Sequence, residues 1–549
     1  MCSGRRAAPA RQQAARRSGG ARGEAHAARF GLPSLARPLF GGSGHYARAM
    51  AINGGVDHSG VSAGDGRADD AARVAIVGAG PSGIFLAQVL RAQQRVPLTV
   101  DVYDRMPSPY GLLRYGVAPD HTSIKSVANA LAKVFNDEGI AFHGLVEFGA
   151  DVTRDELLAS YDAVVYAAGA SEELRLNIPG ESLPGNNSAR DFVAWYSGHP
   201  DAKEVDLRGV KSVAAVGVGN VAVDVARVLA KDAADLEWTD MPRRVLDALG
   251  RHTVGDVWVI GRRGPHHVSF TTRELRELCE LEDVNVSVSA GAFDDIDDAD
   301  LDRRTRNNIA TLKAAAEREV AEVRARLHFL FWRRPVEVKG DGRVEQLVLE
   351  ETKLDESGRV VGTGRLSTLD VQLVLRAIGY RGAPLADVPF DTDRGTVPND
   401  GGRVTTEDGH VLPREYVVGW IKRGPIGVIG TNKSDAAATA AHIVDDLVQA
   451  REQHGPQGYF SSTPRFDLVH LMASRGFRPS TFADWQRIDE AEMAKGSDSG
   501  RSRAKVEEWR ELIDIARSSR PGGPPTPADV RRDGGDPEAE EAQEGTLLT

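Results

Sequence analysis

Residues 73–83 read Arg73-Val-Ala-Ile-Val-Gly-Ala-Gly-Pro-Ser-Gly83, and Ile84-Phe-Leu-Ala-Gln-Val-Leu90 follows directly. A short apolar run closed by glycine predicts a strand buried on both faces. The loop Gly78-x-Gly80-x-x-Gly83 then opens an apolar helix. Strand, G-x-G-x-x-G and helix together form the dinucleotide fingerprint in the context it requires. Gly78 permits the tight turn, Gly80 lets backbone approach a pyrophosphate, and Gly83 allows close helix–strand packing. The helix N-terminus offers free N–H groups and a positive dipole end to phosphate. A second strand, Leu98-Thr-Val-Asp-Val-Tyr103, ends at Asp104, 21 residues past Gly83. That is the spacing of a carboxylate accepting ribose hydroxyls, although an Asp at a strand end also commonly caps a helix. A carboxylate there suits a ribose without a 2′-phosphate, hence FAD or NAD.

The pattern recurs. Ser212-Val-Ala-Ala-Val216 runs into Gly217-Val-Gly219-Asn-Val-Ala222 and an amphipathic helix from Val223 to Leu229. Alanine in the third glycine position is within the fingerprint. The next strand, Asp256-Val-Trp-Val-Ile260, ends in Gly261-Arg262-Arg263-Gly264 rather than in an acid. Paired arginines at that strand end suit a 2′-phosphate through bidentate, charge-assisted bonds. The alternative is a solvated surface pair. Two loops of opposite 2′ chemistry predict two dinucleotides, FAD and NADP(H), with hydride passing between nicotinamide and flavin.

Outside these loops the chain is bounded by composition. Its 549 residues suggest two to four domains, and 41% hydrophobic with 27% charged residues is ordinary globular usage. The longest stretch free of Asp, Glu, Lys and Arg, Val74–Leu90, is 17 residues and holds three glycines and a proline, too short and broken for a membrane span. Cys2 and Cys279 are the only cysteines. They exclude a four-thiolate iron–sulfur cluster, a C-x-x-C relay and a disulfide framework. Net charge is −11, which argues against general nucleic-acid binding. Residues 1–49 carry nine Arg, no Lys and one acid, Glu24, leaving −19 for residues 50–549. An Arg-rich, acid-poor leader reads as a mitochondrial transit peptide or as an overextended start ahead of Met50; the second reading is preferred, placing the protein in the bacterial cytoplasm. Residues 1–71 are assigned to leader and linker, and 518–549 to a disordered acidic tail.

These residues carry a resemblance. The chain resembles the adrenodoxin-reductase type of ferredoxin–NADP⁺ reductase over about residues 72–517. The segments that carry it are Val74–Gly83, Pro109-Tyr-Gly-Leu-Leu-Arg-Tyr-Gly-Val-Ala-Pro-Asp-His121, Tyr161–Gly169, Gly217–Ala226, Gly261-Arg-Arg-Gly-Pro265 through Glu277, and Gly419-Trp-Ile-Lys-Arg-Gly-Pro-Ile-Gly-Val-Ile-Gly-Thr431. The string ending in His121 is far more specific than any glycine loop. The resemblance implies FAD contacts at Ser82, Asp104, Leu112, Phe148, Trp420, Gly427, Val428 and Ile429. It implies NADP contacts at Val218, Gly219, Asn220, Val221, Arg262, Arg263, Glu274 and Gly427. It implies that His121 and Glu277 form a polar pair that tunes hydride transfer. Taken alone, His121 reads as a cap in a turn, and Glu274 and Glu277 share one solvated helix face. Two departures stand out. Asp104 replaces the usual Glu, and His266-His267-Val-Ser replaces the usual Leu-Gln-Val/Ala-Ala. Adjacent histidines do not face each other on a strand or helix, so no metal site is expected there or elsewhere.

The expected fold is α/β with two Rossmann-like dinucleotide-binding domains, the NADP domain inserted into a split FAD domain. The expected boundaries are 72–173 and 376–486 for the FAD domain, 174–375 for the NADP domain, and 487–517 for a C-terminal helical extension. Tyr161–Gly169 and Leu373–Gly379 are expected to be the two crossing strands. The resemblance implies a monomeric FAD enzyme that takes hydride from NADPH and gives single electrons to a small acidic iron–sulfur ferredoxin. Arg243, Arg244, Arg273 and Arg276 are candidate docking charges. The competing readings are a diaphorase or quinone reductase without a dedicated ferredoxin, and a non-catalytic flavin/NADP-binding regulator.

Overall fold

The computed structural model describes residues 71–518 except 295, 297–300, 428 and 461–464. All described residues belong to the second of two units, 65–549. The readings made for the leader, the acidic tail and Val428 fall outside the described residues.

β1 (Ala72–Val77) leads through the first glycine loop into α1 (Pro81–Ala92) and on to β2 (Leu98–Tyr103). β1 pairs in parallel with β2 on one side and with Ala163–Tyr166 on the other. Val74 and Ile76 pack into one apolar cluster and Ala75 and Val77 into another. Burial on both faces explains why the strand reads as an unbroken apolar run rather than an alternating one. The full sheet has seven strands, in the order Asn399–Asp400, Arg403–Thr405, Val411–Val417, Ala163–Tyr166, β1, β2, Ile140–His143. Chain segments on either side of a long insertion therefore build one sheet.

The insertion carries a second, wholly parallel sheet. β3 (Ser212–Val216), α2 (Asn220–Ala230) and β4 (Asp256–Ile260) repeat the first motif, and α3 (Thr272–Cys279) follows. The strand order is Asn186–Ser188, Leu373–Arg376, β3, β4, Ala325–Leu330, Val284–Val288. Both helices begin three or more residues before the sequence reading placed them, at the glycine loops themselves.

The crossing differs from expectation. Leu373–Arg376 lies wholly inside the second sheet, paired with β3. The chain crosses just outside it, where Glu172–Glu173 pairs antiparallel with Tyr380–Arg381. Arg376 anchors this ladder, with Nη2 on Glu173 and Nη1 donating to both oxygens of Asn186, at 2.9 Å each. A three-stranded antiparallel sheet, Arg333–Lys339, Gln346–Leu354 and Val360–Asp370, also sits within the insertion and was not anticipated.

The C-terminal boundary is corrected too. A helix spans Phe482–Ser497, across the expected break at 486/487, and a second spans Trp509–Arg517. Between them residues 498–508 form a strap rather than a helix. Lys505 Nζ donates to the carbonyls of Arg114 (2.8 Å) and Ser197 (2.9 Å). Arg244 pairs with Glu507, and Trp509 donates to Asp201 (2.6 Å). The strap thus ties the Arg114 turn to the segment that opens the insertion.

Candidate functional site

The two glycine loops have the same internal division of labour. A Cβ on Gly78 would lie 2.5 Å from the carbonyl oxygen of Ala167, and Gly78 has φ +115°. A Cβ on Gly83 would run into the Gly78 carbonyl oxygen. Gly217, φ +138°, is set in the same way against Ala377. These glycines are required by the protein's own packing. Gly80 is different, because a Cβ there would meet nothing within 4 Å. At Gly219 the nearest atom is Ser269 Oγ at 3.4 Å. Each of these two residues is a helix N-cap without a side-chain cap, so the first N–H groups of α1 and α2 are left for another acceptor. Space at the second glycine and uncapped amides behind it are what a pyrophosphate needs. Both cradles fit a dinucleotide.

The surrounding residues differ between the cradles. Asp104 Oδ2 accepts the Ala79 N–H and Oδ1 the Met106 N–H, at 2.8 and 2.9 Å, so this carboxylate fastens the first loop to the end of β2. Burial raises its pKa, opposed by those two N–H bonds. Ser82 is buried against Gly419, where a Cβ would collide with its hydroxyl. Leu112 stands exposed at the start of its short helix. Phe148 packs edge-on to Tyr166 at 5.7 Å, and Trp420 stacks on Tyr380 at 6.2 Å. Gly427 has φ +93° in the turn before the helix Ile429–His454.

At the second cradle Val218 O accepts from Ser269 N (2.9 Å) and Phe270 N (3.2 Å), and Asn220 Oδ1 accepts from Thr271 N (2.8 Å). These bonds clamp the loop after β4 onto the glycine turn, with half-buried Val221 beside it. Arg262 is exposed, and its carbonyl takes the Thr352 hydroxyl at 2.9 Å. Among the described residues no carboxylate lies within 4.0 Å of either Arg262 or Arg263. Arg263 Nε is buried without a partner.

A charged cluster joins the turn that ends in His121 to α2 and α3. His121, 4% exposed, N-caps a short helix without a side-chain bond. Its ring turns instead to α3, with Nε2 2.8 Å from Glu277 Oε2 and 2.9 Å from Glu274 Oε2. Neither carboxylate lies along the ring's N–H direction. Asp224 on α2 is 3.9 Å away and itself pairs with Arg227 at 2.9 Å. Asp120 pairs with Arg227 (2.9 Å) and Lys231 (2.7 Å), which hold its carboxyl well below the usual range against the pull of burial. Burial pushes His121 down, but the contact with Glu274 and the charge of Asp224 outweigh burial and Arg227 and raise it above 6.5. Burial pushes Asp224 up to about 6. Glu277, also bonded by Arg273 at 3.0 Å, is held below its usual value despite burial.

The sequence reading paired His121 with Glu277 and missed the rest of the cluster. Glu274, expected to serve the dinucleotide, is 5% exposed with its carboxylate committed to His121 and Arg227. Asp224 and Arg227 on α2 and Lys231 at its C-cap follow one another at i, i+3 and i+7, a stripe that was legible but not singled out. The statement that adjacent histidines do not face each other is also corrected. His266 and His267 lie in a 3₁₀ turn, Pro265–His267, with ring centroids 3.9 Å apart.

Two open cradles, each after a parallel strand of its own sheet, one followed by a carboxylate and the other by free arginines, define a two-dinucleotide flavoprotein oxidoreductase. Residues 72–262 match the pyridine nucleotide-disulphide oxidoreductase family. NADPH-ferredoxin reductase FprA of Mycobacterium tuberculosis is 42% identical over 455 residues, covering 80% of this chain and 98% of that protein. Human mitochondrial NADPH:adrenodoxin oxidoreductase is 38% identical over 461 residues, covering 80% and 91%. The solved structure of M. tuberculosis FprA in complex with NADPH superposes with a TM-score of 0.75 at 41% identity, over 81% of this chain and 99% of that one. The chain belongs to the adrenodoxin-reductase-type ferredoxin–NADP⁺ reductases, FAD-dependent enzymes that use NADP(H).

Proposed function

We infer that this chain carries electrons from NADPH to a small iron–sulfur ferredoxin, with FAD in the first cradle and NADP(H) in the second. Bound FAD supplies the conversion of a two-electron hydride into single electrons. In this reading the uncapped amides of α1 and the open face of Gly80 hold the FAD pyrophosphate. Asp104 takes ribose hydroxyls on the lone pairs left by its two N–H bonds. Ser82, Leu112, Phe148, Trp420, Gly427 and Ile429 line the remaining FAD seat. The turn Val218–Val221 holds the second pyrophosphate, and Arg262 and Arg263 hold the 2′-phosphate. His121 and Glu277 come from opposite sides of the crossing, so their contact sets the distance between the two dinucleotides. Glu274, Glu277 and Asp224 surround His121 Nε2 with negative charge, which favours the protonated ring and keeps this end of the site polar. The protein's contribution is orientation and electrostatics.

The observation that supports this most strongly is the open Cβ position at Gly80 and Gly219 alone among the fingerprint glycines. The test is to purify the protein, record its visible flavin spectrum, and follow NADPH-driven cytochrome c reduction with and without an added [2Fe–2S] ferredoxin. A rate that requires ferredoxin supports the reading. Full two-electron turnover with quinones and none with ferredoxin supports the diaphorase, and bound cofactors without turnover support a regulator. Size-exclusion chromatography at the monomer mass tests the monomeric state.

Among the described residues no helix is long and apolar enough to cross a membrane. We read the chain as a cytoplasmic enzyme. Recovery of the protein in the soluble fraction of its source cells is the corresponding test.

A further inference from the structure

The loop after β4 concentrates nitrogen atoms that lack acceptors. Arg263 Nε, His266 Nδ1 and His267 Nδ1 are all buried without a hydrogen-bond partner, within five consecutive residues. No carboxylate lies within 4.0 Å of either imidazole or either guanidinium among the described residues. The turn is rigid. His267 N donates to Gly264 O at 3.0 Å, and Trp332 N donates to Arg263 O at 3.3 Å. The Trp332 ring backs both imidazoles, at centroid distances of 6.1 and 6.2 Å, and a Cβ on Gly264 would lie 2.7 Å from it. Trp332 itself sits at φ +56°, a strained conformation for a large residue. Buried polar nitrogens are normally paired, and several orphans in one turn mark a missing acceptor.

Resting on the assignment of Arg262 and Arg263 to the 2′-phosphate, we propose that His266 and His267 complete that seat as specificity-determining contacts, and that a proton is taken up when the phosphate enters. A phosphate dianion supplies the acceptor the ring nitrogens lack and the negative charge that favours imidazolium. The electrostatics agree. Burial lowers the pKa of both rings, and His266 and Arg263 lower that of His267 further, so both rings favour the neutral form before a phosphate arrives. On the neighbouring strand Arg333 is paired with Glu351 at 3.8 Å, and it donates to the Trp332 carbonyl. Glu351, also paired with Arg365, is therefore not a free anion beside the imidazoles. Proton uptake on binding means that affinity tightens as pH falls, down to the range near 6 where the phosphate itself begins to protonate.

The test is calorimetry on the FAD-loaded enzyme with 2′,5′-ADP and with 5′-AMP, between pH 6.5 and 8, in two buffers of different ionisation enthalpy. Wild type is expected to take up protons with 2′,5′-ADP, to bind it more tightly at pH 6.5 than at pH 8, and to do neither with 5′-AMP. The double variant His266→Leu/His267→Gln is expected to lose the uptake and to bind 2′,5′-ADP on the order of tenfold more weakly, one charge-assisted bond or more, with 5′-AMP unchanged. If the double variant keeps the wild-type affinity and pH profile while Arg262→Ala/Arg263→Ala loses 2′,5′-ADP, the proposal is wrong and the arginine assignment stands. If neither double variant affects 2′,5′-ADP, the assignment of the second cradle falls as well.

Discussion

His121 illustrates how a single residue changes meaning once its neighbours are placed. Its turn suggests a cap, yet its ring touches two glutamates from the inserted unit. His121→Gln and Glu277→Gln should each slow flavin reduction by NADPH in stopped flow while flavin content stays normal. Unchanged rates would return both to a purely structural role. The raised pKa of His121 also predicts a stability term with a definite sign. It is fully present below about pH 6.5, the unfolded value, and is lost as pH rises through the higher folded value. The melting-temperature difference between wild type and His121→Gln should therefore be larger at pH 6 than at pH 9. The arginine clamp makes a separate prediction. Arg262→Ala with Arg263→Ala should raise the KM for NADPH and barely change that for NADH, removing a preference of roughly 10²–10⁴-fold. Equal losses for both cofactors would contradict a 2′-phosphate role. The positions of Asp104, Arg262 and Arg263 were legible because each follows the end of a strand that the fingerprint spacing dictates. The contacts of Glu274 with His121 and Arg227 were not legible, because nothing in its own neighbourhood says which way α3 turns.

At the scale of the element, the strand–loop–helix units were legible because they are local: an apolar run, a glycine turn and a helix start need no distant partner. The ladder Glu172–Glu173 with Tyr380–Arg381 and the strap 498–508 were not legible, because both are defined by contacts across hundreds of residues. The loops also predict that glycines of one motif fail differently. Gly83→Ala drives a methyl into the Gly78 carbonyl and should destabilise the protein by about 1–3 kcal/mol, seen as a lower melting temperature. Gly80→Ala has open space and should leave the apoprotein's stability nearly unchanged while weakening FAD retention. A similar stability loss in both would show that the space at Gly80 closes in solution.

In the whole molecule, buried charge couples the parts. Arg114, from the most specific string of the sequence, forms a two-pronged pair with Glu492 at 2.5 and 3.0 Å, fully enclosed beneath the strap. Glu492→Gln leaves a buried arginine unpaired and should cost about 3–5 kcal/mol of stability in denaturant unfolding. A loss under 1 kcal/mol would mean that the strap does not seal that pair. The docking charges look different from the sequence view. Arg243 pairs with Asp247 and Glu237, Arg244 with Glu204 and Glu507, and Arg273 with Glu277, while Arg276 is exposed with no carboxylate within 4.0 Å among the described residues. With the net charge negative, attraction for an acidic ferredoxin must come from such local charge. Arg276→Glu should lower ferredoxin-dependent cytochrome c reduction at low salt and flatten its fall with added NaCl, leaving NADPH–ferricyanide activity intact. An unchanged ferredoxin rate would move the docking face elsewhere.

The central claim is that two like cradles hold unlike cofactors, so the two open glycines should fail in opposite ways. The most direct measurement is the visible flavin absorbance of purified Gly80→Val and Gly219→Val proteins, before and after anaerobic mixing with NADPH. The account predicts a colourless Gly80→Val protein and a yellow Gly219→Val protein that NADPH no longer bleaches. A yellow Gly80→Val protein, or a Gly219→Val protein that is colourless or bleaches at the wild-type rate, would contradict it.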